Sequence, residues 1–153
     1  MIRAMLWRRI VILLMVGYVA FVCLVTMSVR TVDDRVPGLI AAILALGSHY
    51  RSASWFSYTT LEKAANVGMF VPIGFLVALQ FGRWWAGLLF GLLFSLLIEG
   101  IQATLLAATR TASISDVVTN TIGAAIGALL AGLLLWRAAV TSEVPSSSDV
   151  PVE

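Results

Sequence analysis

Four stretches of this chain, about residues 10–29, 64–81, 85–108 and 117–136, are apolar over the length a helix needs to cross a bilayer. Hydrocarbon offers no partner for backbone N–H and C=O groups, so segments of this kind must satisfy them internally and fold as helices. Charged residues make up only 12% of the chain and hydrophobic ones 60%, whereas soluble domains carry roughly 25% charge. The sequence therefore predicts an all-α integral membrane protein, a bundle of four transmembrane helices, with no room for a separate soluble domain.

The flanks organise the membrane domain, which is expected over residues 10–137. Residues 1–9 form a basic leader with Arg3, Arg8 and Arg9. The apolar run behind it is too long for a signal peptide and no A-x-A cleavage site follows, so it reads as an uncleaved first span. The longest connection, residues 30–64, contains an apolar stretch over residues 37–47 that is too short to span. A short interfacial or re-entrant helix is expected there, in the first extracytoplasmic connection. Trp55, Phe56 and Tyr58 behind it suit the headgroup belt. Residues 138–153, with three acids, two prolines and no apolar period, read as a disordered tail.

Charge and composition exclude several functions. A net charge of +2, from basic residues scattered along the chain, gives no stripe for nucleic acid. Cys23 is the only cysteine and forms no intrachain disulfide. His49 is the only histidine, and no loop has the spacing of a calcium site, so neither a metal nor a cofactor is expected. Three arginines precede the first span against Arg30 and Arg35 just after it, which favours cytoplasmic N- and C-termini in a bacterial plasma membrane.

The polar residues inside the spans are few and fall at one depth. Asn66 lies near the start of the second span, Glu99 and Gln102 toward the end of the third, and Asp116 and Asn120 at the opening of the fourth, with Arg110 in the connection before them. An up-down bundle brings these three span ends to one membrane face. A glutamate at a helix centre costs on the order of 2.5–3.5 kcal/mol to insert, so such residues need a reason. Small residues explain how the helices approach: Gly87 and Gly91 in the third span and Gly123 and Gly127 in the fourth permit close packing, and Pro72 with Gly74 marks a bend or local unwinding in the second.

Asn66-Val-Gly-Met-Phe-Val-Pro72-Ile-Gly74 resembles the second-span motif of the VanZ-like membrane proteins, and Glu99-Gly-Ile-Gln102 matches that family's E-x-x-Q. Arg110, Asp116, Asn120, Gly123 and Gly127 stand at the spacing of its R…D-x-x-x-N-x-x-G-x-x-x-G. The segment 111–115 departs by lacking aromatic and acidic residues, and Thr109 replaces a usual glycine. The resemblance implies a small multi-span bundle associated with low-level resistance to the glycopeptide teicoplanin.

Three functional readings follow. In the first, Asn66, Glu99, Gln102, Arg110, Asp116 and Asn120 bind or remodel an outer-leaflet anionic lipid, a lipid-linked envelope precursor or a glycolipid, Arg110 meeting its phosphate or carboxylate. In the second, a membrane enzyme uses Glu99 or Asp116 as general base on a lipid substrate, although no nucleophile–base pair is visible. In the third, the polar residues are only interhelical glue. A proton-coupled transporter is disfavoured because the polar residues hug one face instead of lining a path across. The oligomeric state is left open.

Overall fold

The computed structural model describes residues 2–27, 38, 57–107 and 112–142. It contains four helices: α1 (Ile2–Thr26), α2 (Tyr58–Phe81), α3 (Trp84–Thr104) and α4 (Ile114–Ser142). All four are long and apolar enough to cross a membrane. The expected short helix over residues 37–47 and Arg110 both lie outside the described residues, as does the tail beyond Ser142.

The helix bounds differ from the apolar spans, and local chemistry explains the differences. α2 begins at Tyr58 rather than near Ala64 because Ser57 is its N-cap, with its hydroxyl accepting from the Thr60 N–H at 3.3 Å. Glu62 and Lys63 hide this start from a hydropathy reading, yet the second turn, still near the interface, tolerates them. α3 stops at Thr104. α4 begins ahead of Val117 and continues past Trp136 to Ser142. α2 is unbroken through Pro72, so the unwinding considered there does not occur. Between α2 and α3, Gly82 closes the helix with φ of 65°. The Arg83 N–H reaches back to the Ala78 carbonyl at 3.1 Å, a left-handed cap that only glycine adopts without strain.

Three helices form the centre, and glycine decides how. A Cβ on Gly123 would collide with the Val67 carbonyl of α2, and one on Gly127 with the Val71 carbonyl. On α2, a Cβ on Gly74 would strike the Ala124 backbone of α4, and α3 brings Gly87 against the Gly74 carbonyl and Gly91 against Ala124. The five glycines singled out in the sequence thus all face inward, where backbones meet directly. Around them, Phe70, Ile73 and Val77 of α2 pack with Phe94 and Ile98 of α3 and Ala124 of α4. α1 packs chiefly along α2 and contributes Val22 to this core. Leucines of α3 and α4 such as Leu93, Leu97 and Leu129 point outward, as a lipid solvent allows.

Candidate functional site

The end of the bundle that gathers the C-terminus of α1, the N-terminus of α2, the C-terminus of α3 and the N-terminus of α4 holds the polar side chains. Glu99 is 8% exposed and lies about 8 Å from the end of α3 at the usual rise per residue. Its Oε2 accepts from the Ser113 N–H at 2.7 Å. Ser113 immediately precedes α4, and its carbonyl accepts from the N–H of Asp116 at 3.0 Å. Glu99 thus places a carboxylate at the amino end of α4, where unpaired N–H groups and the helix dipole favour negative charge. Asp116 stands in the first turn of α4, half-buried and within electrostatic reach of Glu99. Glu99 and Asp116 therefore stand near the converging ends of α3 and α4.

One turn deeper lies a second polar rung. Asn120, i+4 from Asp116, donates through Nδ2 to Ser95 Oγ at 2.9 Å, and Ser95 is i−4 from Glu99. Both are buried, Ser95 completely. Asn120 Oδ1 has no hydrogen-bond partner among the described residues; exchanging the amide atoms would only move the unpaired position to nitrogen. Ser95 continues the four-residue spacing of Gly87 and Gly91 along α3. Its spacing of four from Glu99, matching the four between Asp116 and Asn120, is the signal that pairs the two rungs.

The remaining candidates separate. Gln102, buried one turn above Glu99, does not turn toward α4; its Nε2 donates to the Thr26 carbonyl at 3.2 Å, closing the end of α1. Halfway along, Tyr18 OH donates to the Met69 carbonyl of α2 at 3.1 Å, a second clasp on α1 that composition does not reveal. Asn66 is half-buried on α2, next to Val67 at the Gly123 contact, and so stands level with the lower rung. Among the described residues, no group of three or more His, Cys, Asp and Glu could hold a metal ion.

This arrangement can accept hydrogen bonds and attract positive or hydroxyl-bearing groups at the end of the bundle, and it ties α3 to both α1 and α4. The sequence profile of the VanZ/LLP1 family matches residues 9–135, which takes in α2 and α3, most of α1 and α4, and every polar side chain just described. No curated protein and no solved structure matches the chain.

Proposed function

We propose, for a chain that belongs to the VanZ/LLP1 family and crosses the membrane several times, that its polar end binds a lipid or lipid-linked precursor of the cell envelope. The observation that carries this reading is the Glu99–Asp116 pair. Only Glu99 Oε2 is engaged by a backbone donor, and the Asp116 carboxylate has no side-chain or backbone donor among the described residues. Carboxylates set at the mouth of a helix bundle suit the hydroxyls of a glycolipid or sugar-linked headgroup. Arg110, in the same connection by sequence, supplies the cation for a phosphate. Asp116 and Asn66 line the approach, while Asn120 and Ser95 hold α3 and α4 at the spacing the pair needs.

A second reading has its own support. Glu99, Gln102 and Asn120 each make a hydrogen bond between helices or helix ends, which is the behaviour of structural glue, worth about 0.6 kcal/mol per bond in membranes. The two readings part on variants that keep shape and remove charge. In a glycopeptide-sensitive bacterial host, the wild type is expected to raise teicoplanin tolerance. Asp116→Asn and Arg110→Ala are expected to bring it back to the empty-vector value at equal membrane abundance. Equal protection by all three proteins would assign the cluster to structure alone. No protection by the wild type would remove the link between this chain and the glycopeptide target.

A further inference from the structure

The opposite end of the bundle carries a feature that the polar cluster does not use. Between α2 and α3 an apolar groove of about 260 Å³ opens toward lipid, lined by Val77 and Phe81 of α2 and by Trp85, Leu89, Phe90 and Leu93 of α3, with Ala86 the one small residue among them. It starts beside the Gly82 turn, at the membrane interface. From Trp85 to Leu93 it descends about 12 Å along α3, roughly two-fifths of the hydrocarbon thickness. At its mouth stands Arg83, whose guanidinium lies 5.6 Å from the Trp85 ring centroid. Arg83 makes no side-chain cap on α3, and no carboxylate pairs with it among the described residues. The stack on Trp85 holds the cation at the groove, and its N–H fork has no acceptor among the described residues.

We propose that this groove is a binding site for one anionic phospholipid, an acyl chain lying against Leu89, Phe90 and Leu93 and the phosphate meeting Arg83. Two observations select this occupant. The cation sits where a headgroup phosphate lies when an acyl chain fills the groove below it. The lining is mostly large, whereas helices associate in lipid through small residues, and the inward glycines Gly74, Gly87, Gly91, Gly123 and Gly127 are already spent inside the bundle. A second copy of the chain would press a helix onto Phe81, Trp85 and Phe90 and find no surface for close backbone approach. The rest of this membrane face agrees in charge: Arg8 and Arg9 with Trp7 at the start of α1, and Arg137 with Trp136 late in α4, share the end at which Arg83 lies. The site is independent of the polar cluster and stands or falls without it.

The test is lipid retention by the purified full-length protein, measured by native mass spectrometry with phosphatidylglycerol and phosphatidylcholine added separately. The wild type is expected to retain phosphatidylglycerol about five-fold better, the factor that one basic residue near an anionic surface provides. Arg83→Gln should erase that preference, Arg83→Lys should keep most of it, and Leu89→Trp, which fills the groove from an exposed position, should lower retention of both lipids. Leu97→Trp, also lipid-facing and outside the groove, should change nothing. Equal retention of the two lipids by the wild type, an Arg83→Gln protein that still prefers phosphatidylglycerol, or a lipid-free dimer that Leu89→Trp dissociates would each overturn the proposal.

Discussion

Gly127 shows what a single side chain decides in this protein. A Cβ there would overlap the Val71 carbonyl, a backbone atom that cannot swing aside. Gly100, on α3 beside Glu99, has nothing within 4 Å of the same position among the described residues. The two glycines look alike in sequence and differ in consequence. Gly127→Ala is expected to destabilise the protein by about 1–3 kcal/mol through forced separation of α2 and α4. Gly100→Ala is expected to be neutral or to stabilise by about 0.5–1 kcal/mol, since alanine favours the helix. Reversible unfolding in mixed micelles, followed by circular dichroism, reads both. Equal effects would show that α2 and α4 do not meet where the structure brings them together. The polar residues obey the same distinction: Glu99 and Gln102 are neighbours on one helix, and they serve different partners because one faces α4 and the other α1.

Among the elements, α1 is the least committed. It packs mainly on α2, and two hydrogen bonds hold it: Tyr18 to Met69 and Gln102 to the Thr26 carbonyl. Cys23, half-buried and three residues before the end of α1, reports on that contact. The double variant Tyr18→Phe, Gln102→Leu is expected to label several-fold faster at Cys23 with a membrane-permeant maleimide, while Ser95→Ala, which removes a bond to Asn120 of α4 instead, should leave the rate unchanged. An unaltered rate in the double variant would mean that apolar packing alone seats α1. The start of α2 teaches a related lesson about reading helices. Hydropathy finds the part of a helix that lies in lipid, and caps find where the helix ends. Ser57 and its bond to Thr60 place the start of α2 well before Ala64, outside the apolar run.

For the whole molecule, orientation fixes which leaflet each end addresses. Arg8, Arg9, Arg83 and Arg137 cluster at one end, while Lys63 is the basic residue among the described positions near the other. Because basic residues prefer the cytoplasmic side, we propose that the arginine-rich end faces the cytoplasm, which would turn Glu99 and Asp116 outward. In a Cys23→Ala background, Ser57→Cys is expected to react in intact cells with a membrane-impermeant thiol reagent, and Arg83→Cys only after lysis. The reverse pattern would put the polar cluster on the cytoplasmic side and end the outer-leaflet form of the proposed function.

The amino-acid sequence alone determined that this is a four-span helical membrane protein and that Gly87, Gly91, Gly123 and Gly127 face other helices, and it leads us to expect the polar side chains at one end. Those properties are periodic or compositional: twenty apolar residues reach across lipid, four-residue spacings stay on one face, and antiparallel hairpins return the chain to the same side. Only the tertiary structure decided the partners. That Glu99 caps the approach to α4 through Ser113, that Asn120 meets Ser95, that Gln102 belongs to α1, and that Arg83 stands over a groove all depend on the rotation and depth of one helix against another. A helix rotates by about 100° per residue, so a shift of one position redirects a side chain to a different neighbour. Hydropathy is blind to such a shift, and backbone contacts as close as Gly127 against Val71 are what set it.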